Sequence, residues 1–273
     1  MKYFVVFVLI LVIKSSNSLQ IERSPRIFGG VDADIHEFPY LVVLIYQGTR
    51  RCGGSLINKN WVLTAAHCEY PIDDTFLIEY GSTELKISGE NGKFGHPELF
   101  IKHEHFSAVT ISHDIGLIKL KDSISTGFHN TFVHLPISGA IYTTGTPAVV
   151  AGWGLWSYTN DTIPPLQKLD TEVWDYKDCR MVFEEDGLPE DVLIHSTNIC
   201  AAVADFSGSH CNGDSGGPLL VNGVQVGIVS WSIKPCGVEH YPGVYTAVAP
   251  YVDWISRKSG IKFDLLISMV QRS

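Results

Sequence analysis

The sequence predicts an all-β protein, built as a sandwich or as barrels. Its 273 residues include 25 glycines and 13 prolines, a composition typical of a chain with many turns. Short runs rich in Val, Ile, Leu and aromatic residues recur between Gly, Asn, Asp or Pro, as strands do between turns. The chain is 45% hydrophobic and 18% charged, which is sufficient for a sizeable core and excludes a disordered chain.

The strands and helices follow from these local patterns. Periodicity of the helical kind occurs only in Tyr176–Glu185 and Pro250–Lys258, and Gly260 is a suitable stop for the second helix. The clearest predicted strands are Tyr40–Tyr46, Trp61–Thr64, Thr75–Tyr80, Ile115–Leu120, Pro147–Ala151 and Val224–Trp231.

Charge and cysteine content restrict the function. A formal net charge of −9 disfavours binding to nucleic acid or to anionic membrane surfaces. The six cysteines are an even number, which suits a disulfide framework in an exported protein.

The N-terminus predicts export. Lys2 precedes the apolar run Tyr3–Ile13, and the small or polar residues Ser16–Ser18 suit cleavage by a signal peptidase. The alternative, a membrane anchor, is disfavoured because the run falls well short of the ~20 residues that span a bilayer. We expect residues 1–18 to be a signal peptide and the mature protein to be secreted and extracellular.

Three segments carry residues suited to nucleophilic catalysis. Ser215 lies in Gly213–Pro218, where neighbouring glycines permit unusual backbone angles and converging N–H groups. A serine needs a general base, and the base needs an orienting acceptor; His67 and Asp114 each lie at the end of an apolar run. Taken singly, each residue has an ordinary explanation: a turn serine, a hydrogen-bonded histidine and a strand-capping aspartate.

Together the three segments resemble the chymotrypsin/trypsin family of serine endopeptidases, in the family's order of His, Asp and Ser. The resemblance runs from Ile27 to about Ile255. It implies two antiparallel β-barrels with the site between them and a C-terminal helix, all within a protease domain at 27–273. The segments that carry it are Cys52–Ile57, Trp61–Cys68, Gly213–Leu219, Val229–Trp231 and Pro242–Thr246.

The resemblance assigns the catalytic roles. Ser215 is the nucleophile, His67 takes its proton and later gives it to the leaving amine, and Asp114 holds the imidazole tautomer. The N–H groups of Gly213 and Ser215 form the oxyanion hole, and Ser230 completes the hydrogen bonding of Asp114. The main alternative is a protease-like binding or cofactor protein without activity, which is disfavoured because all three triad members are present.

The resemblance also selects one set of disulfides from those that six cysteines allow. No cysteine remains for a second chain, so we expect a monomer. The pairs are Cys52–Cys68, Cys179–Cys200 and Cys211–Cys236.

A zymogen is expected from the sequence around Arg26. A trypsin-like protease would cleave after Arg26, release the propeptide 19–26 and free the amine of Ile27, which in the family pairs with the Asp beside the nucleophile, here Asp214. Phe28 is bulkier than the valine that usually follows the new terminus.

The pocket positions predict which side chain is bound on the acyl side of the cut. Ser209 occupies the floor, where trypsin-like members have an Asp, and a neutral floor disfavours Lys and Arg. His210 is expected to shorten the pocket and Ser232 to narrow its mouth. With Ser230 and Trp231 on the flanking strand and Gly243 on the wall, this predicts chymotrypsin-like cleavage after Phe, Tyr, Leu or Met. Elastase-like preference for small residues is the alternative.

Other motifs add one modification and no cofactor. Asn160 begins a glycosylation sequon. His103 and His105 share a strand face, but no third ligand follows at a diagnostic spacing, so no metal is expected there. Calcium is not expected in the loop Ser82–Lys93, whose carboxylates do not match the family ligands. The expected partners are protein or peptide substrates, the activating protease and protein protease inhibitors.

Overall fold

The computed structural model describes residues 27, 29–86, 93–125, 127, 131–154, 165–185, 194–234, 236 and 240–263. The predicted signal peptide and propeptide, Arg26 and the sequon at Asn160 lie outside the described residues. Among the described residues, no helix has the length and apolar character needed to cross a membrane. The strands are β1 Val31–Asp32, β2 Leu41–Tyr46, β3 Thr49–Asn58, β4 Trp61–Thr64, β5 Phe76–Tyr80, β6 Lys93–Gly95, β7 Pro97–Lys102, β8 Gly116–Leu120, β9 Pro147–Gly152, β10 Gln167–Trp174, β11 Asn198–Ala202, β12 Pro218–Val221, β13 Val224–Trp231 and β14 Gly243–Ala247.

The strands form two antiparallel sheets of seven strands. The first runs β6-β5-β2-β3-β4-β8-β7 and makes a half-barrel. The second runs β1-β10-β11-β14-β13-β12-β9, and pairing of β9 with β10 closes six of its strands into a barrel. The predicted all-β fold with two barrels is therefore confirmed.

The two barrels bury one another's apolar side chains. Leu44 and Leu63 of the first barrel belong to a buried cluster that extends into Ala151 and Leu220 of the second. A separate cluster containing Val226 fills the second barrel. Removing so many apolar side chains from water at the junction fixes how the barrels pack, and the junction is where the catalytic candidates lie.

Both predicted helices are present. Helix α1 spans Tyr176–Glu185 as predicted, and Cys179 on it is disulfide-bonded to Cys200 on β11. Helix α2 spans Val252–Ser259 and ends at Gly260, whose φ of 73° is the left-handed conformation that glycine adopts without strain. Its first residues differ from the prediction because Ala249–Tyr251, which contains a proline, forms a 3₁₀ turn.

Candidate active site

Strand register brings His67 and Asp114 together. β4 pairs with β8 so that Thr64 lies opposite Gly116, which aligns the end of one strand with the start of the other. His67 follows β4 in a short 3₁₀ turn, and Asp114 precedes β8. The disulfide between Cys52 and Cys68 anchors the turn to β3.

Asp114 is fully buried, and both of its carboxylate oxygens accept hydrogen bonds. Oδ1 accepts the backbone N–H of His67 at 2.9 Å, and Oδ2 lies 2.7 Å from Nδ1 of the same residue. Ser230 on β13 donates to Oδ2 at 2.6 Å, and Thr246 on β14 donates to the Asp114 carbonyl at 2.9 Å. Asp114 accepts a hydrogen bond from the N–H at Nδ1 of His67. The other nitrogen of the neutral imidazole, Nε2, is therefore free to accept a proton.

A glycine-lined turn before β12 holds Ser215. Gly213 and Gly216 have φ of 90° and 83°, and a Cβ on Gly216 would lie 2.5 Å from the carbonyl oxygen of Gly53. The N–H of Gly53 donates to the Ser215 carbonyl at 2.7 Å, and Sγ of Cys68 lies 3.7 Å from that oxygen. The nucleophile candidate is therefore fixed against the turn that carries His67.

The turn leaves two N–H groups for a ligand. Gly216 donates to Val229 at 2.8 Å, and Asp214 donates to Cys211 at 3.1 Å. Among the described residues, no backbone acceptor is paired with the N–H of Gly213 or of Ser215. An oxyanion hole requires two such donors, and the resemblance predicts this role for these two N–H groups.

Asp214, next to the nucleophile, is a buried carboxylate with two backbone donors. Gly154 donates to Oδ1 at 2.7 Å, and Cys211 donates to Oδ2 at 2.9 Å. Burial raises the pKa of Asp214 to about 6, although both N–H groups and the charges of Arg50 and Lys234 act in the opposite direction.

Ile27 belongs to the same part of the molecule. It is fully buried in the second barrel and shares an apolar cluster with Ala148 and Val150 of β9. The segment that follows β9 contains Gly154, one of the donors to Asp214. Ile27 and Gly154 are thus both connected to β9, the first by packing against it and the second as part of the chain that follows it.

The pocket candidates are partly brought together. His210 is buried against Gly243, since a Cβ on that glycine would lie 2.5 Å from Cε1 of the ring. Ser209 donates to the carbonyl of His210 at 2.9 Å, which places its hydroxyl toward the backbone of the floor. The Trp231 ring instead packs against Phe183 of α1, with centroids 5.4 Å apart.

His210 is a neutral imidazole. Burial lowers its pKa to about 3, and the charge of Lys234 acts in the same direction. Nδ1 lies 3.0 Å from the hydroxyl of Tyr245, while Nε2 is buried without a hydrogen-bond partner among the described residues. The base of the pocket is therefore occupied by a polar ring.

Sequence reasoning missed Lys234 and Arg50. Lys234 donates to Ser232 at 3.4 Å and lies 3.2 Å from Sγ of Cys236, so its ammonium group follows the pocket wall. Because Lys234 lies two residues after Ser232, a predicted pocket residue, the sequence could have indicated that Lys234 lies near the pocket. Arg50 is a half-buried guanidinium beside Gly213, and no sequence pattern singled it out.

One group of metal-ligand side chains lies within the site. Among the described residues, ligand atoms of Cys52, His67 and Cys68 lie within 4.8 Å of one another. The two cysteines are joined in a disulfide, so neither offers the thiolate that binds metals.

The chain is similar to one protein family and to several serine proteases. A family model described as Trypsin matches residues 27–255. The chain is 36% identical over 236 residues to the snake venom serine protease serpentokallikrein-2 of Protobothrops mucrosquamatus, covering 86% of this chain and 87% of that one. It is 35% identical over 231 residues to trypsin II-P29 of Gallus gallus, covering 84% and 88%. It is also 35% identical over 238 residues to the thrombin-like enzyme calobin-1 of Gloydius ussuriensis, covering 86% and 87%.

Proposed function

Because the chain belongs to the trypsin family of serine endopeptidases, we propose that it is a secreted, catalytically active protease that is made as a zymogen. The observation that carries the proposal is the buried Asp114, whose carboxylate accepts from both the backbone and Nδ1 of His67. The three disulfides suit an oxidising, extracellular compartment.

The proposed mechanism gives each of these groups one role. Nε2 of His67 takes the proton as Oγ of Ser215 attacks the peptide carbonyl, and the N–H groups of Gly213 and Ser215 stabilise the oxyanion. The imidazolium, stabilised by Asp114, protonates the leaving amine as the C–N bond breaks. Water then attacks the acyl-enzyme with His67 again acting as base, which releases the acid and regenerates the serine.

A fluorophosphonate label distinguishes this function from that of a non-catalytic relative. We expect the protein cleaved after Arg26 to be labelled at Ser215, because only an activated serine attacks the reagent. Ser215→Ala is the matched control and should remain unlabelled. A folded, cleaved protein that takes no label would support a protease-like binding protein instead.

We propose that the substrate side chain on the acyl side of the cut is apolar. The names of the relatives include a trypsin and a thrombin-like enzyme, so the proposal rests on the pocket residues. Ser209 provides no carboxylate for Lys or Arg, and the ammonium of Lys234 on the wall would repel them. The ring of His210 takes up depth, which favours Leu and Met over Phe and Tyr.

A second candidate specificity is cleavage after Asp or Glu. It is favoured by the ammonium of Lys234 and by Nε2 of His210, which has no hydrogen-bond partner among the described residues. A protonated His210 would add a second positive charge to attract a carboxylate. The lowered pKa of His210 argues against that protonation, so we place this specificity second.

Cleavage of a peptide library by the activated enzyme should therefore show Leu and Met preferred. The His210→Ser substitution should deepen the pocket. The ratio of kcat/KM for Phe to kcat/KM for Leu should then rise roughly tenfold, the usual size of a specificity change caused by pocket volume. Ser209→Asp is the matched variant at the pocket floor, and it should lower kcat/KM for cleavage after apolar residues. A wild-type preference for Lys or Arg would contradict the pocket assignment, and a preference for Asp or Glu would establish the second candidate.

A further inference from the structure

A cavity lies beside the second barrel, and its lining shares no residue with the proposed catalytic groups or with the pocket for the acyl-side residue. Its volume is about 370 Å³, near the lower end of the roughly 300–1,000 Å³ that is usual for ligand sites. Residues 139–142 and the start of α1 form one part of the wall, and Val226 of β13 and Ala247 of β14 form another. The cavity therefore has a size suited to a small organic molecule.

Much of the lining is apolar. Ile199 and Val226 are buried in the apolar cluster that fills the second barrel, so core side chains form the floor of the cavity. Ile141, which also lines it, is 87% exposed, the highest value among the large hydrophobic side chains that the structure describes. An apolar ligand group between these residues would remove apolar surface from water, which is favourable.

Tyr142 adds a polar atom to this lining. Its hydroxyl is buried and has no hydrogen-bond partner among the described residues. Burial raises the pKa of Tyr142, so the phenol is neutral and able to donate. A buried hydroxyl without a partner is costly, and a polar group bound in the cavity would supply the partner.

Two side chains of opposite charge line the cavity where α1 begins. Oδ1 of Asp175 accepts the N–H of Lys177 at 2.8 Å and that of Asp178 at 3.0 Å, and no hydrogen bond to its Oδ2 comes from a described residue. The ammonium of Lys177 is exposed and forms no ion pair with an acidic residue in the part of the chain that the structure describes. One carboxylate oxygen and one ammonium, two residues apart, are therefore available to a ligand.

We propose that this cavity binds a free α-amino acid with an apolar side chain. Its ammonium group would pair with Asp175, and its carboxylate would pair with Lys177 and accept from the hydroxyl of Tyr142. Its side chain would lie on the apolar floor. A ligand with a single charge would be attracted by one of the two charged residues and repelled by the other, whereas a zwitterion is attracted by both.

The lining also favours an aromatic side chain. Tyr142 and Tyr176 both line the cavity, and aromatic rings pair with one another beyond the effect of their buried area. We therefore expect L-phenylalanine to bind more tightly than L-alanine.

Binding is measured by calorimetry in the uncleaved Ser215→Ala protein, so that the result does not depend on the proposed activity. L-phenylalanine should bind at one site per chain with a Kd of about 1 mM or lower, as suits a ligand of this size. N-acetyl-L-phenylalanine lacks the ammonium, and L-phenylalaninamide lacks the carboxylate. Each should bind about fivefold more weakly, the upper range for a partly exposed ion pair.

Four substitutions test the assignment of the residues. Lys177→Gln, Asp175→Asn and Tyr142→Phe should each lower the affinity for L-phenylalanine about fivefold, and asparagine still caps α1 because it is as good a cap as aspartate. Ala247→Leu fills the cavity and should abolish binding. Arg180→Gln, which removes an exposed cation on the same helix outside the cavity, is the matched control for Lys177→Gln and should bind like the parent.

Three results would overturn the proposal. The first is the absence of L-phenylalanine binding at millimolar concentrations in the folded protein. The second is equal affinity for L-phenylalanine and its two blocked derivatives, because neither charge would then be recognised. The third is undiminished binding in all four cavity variants, which would place the amino acid elsewhere in the molecule. None of these results bears on the proposed protease activity, because Ser215 is absent from the protein tested.

Discussion

Replacing Asp114 with asparagine is expected to lower turnover by ~10⁴ without unfolding the protein; this magnitude is the one known for the same substitution in this family. The amide can place an NH₂ where Oδ2 now accepts from Nδ1 of His67. The imidazole would then carry its proton on Nε2, where it cannot accept one from Ser215. Steady-state kinetics on the cleaved variant, with its melting temperature, measures the effect.

Ser230→Ala is the matched control for this substitution. It removes one donor to Oδ2 of Asp114 and keeps the carboxylate, so the imidazole tautomer should be retained and the loss should be much smaller. If Asp114→Asn keeps turnover within a few-fold of the parent, Asp114 does not orient the general base and the proposed mechanism is wrong.

The sequence predicted the architecture well because its signals are local. Val224–Trp231, an apolar run between turn signals, is a strand with the same bounds, and Tyr176–Glu185 is a helix with the same bounds. Gly260 ends the last helix because a left-handed residue is required there. Such local patterns do not show which strands pair. The closure of one barrel by β9 and β10 therefore emerges only from the structure.

The site was predictable only where a residue lies inside a motif. His67, Asp114 and Ser215 were each found beside short recognisable segments, and the structure holds the first two together through strand register. Lys234 was missed because its position depends on how distant loops fold back. No spacing along the chain reveals that Lys234 follows the pocket wall.

The ion pair proposed for activation should make activity depend on pH. An α-amine ordinarily titrates near ~7.7–8.0, and pairing of the freed Ile27 amine with Asp214 should raise its pKa in the ordered state. A raised pKa means that the stabilisation is complete below the unpaired value and is lost as pH rises through the paired one. Activity should therefore decline on the alkaline side, as the amine loses its proton and the oxyanion hole is no longer held in place.

Asp214→Asn tests the carboxylate half of this pair. The amide cannot attract the ammonium, so the cleaved variant should remain zymogen-like at every pH, with turnover lower by roughly 10²–10³, the range for loss of an oxyanion-hole donor. In the uncleaved chain, burial raises the pKa of Asp214 to about 6, with Arg50 and Lys234 as the cations that oppose the shift. Pairing with the new ammonium should lower that pKa, so the Asp214 carboxylate should stay ionised to more acidic pH after cleavage.

Arg26→Gln tests the other half, because trypsin cannot cleave after glutamine and the Ile27 amine is never freed. The measurement is activity from neutral to strongly alkaline pH for the parent, Asp214→Asn and Arg26→Gln, each after exposure to trypsin and with the N-terminus sequenced. The parent should lose activity as the paired amine deprotonates, whereas both variants should be nearly inactive throughout. Full activity of an Arg26→Gln protein that is still intact at residues 26–27 would show that no new terminus is required. The buried Asp214 would then have to draw its counter-charge from Arg50 or Lys234, the two cations already beside it.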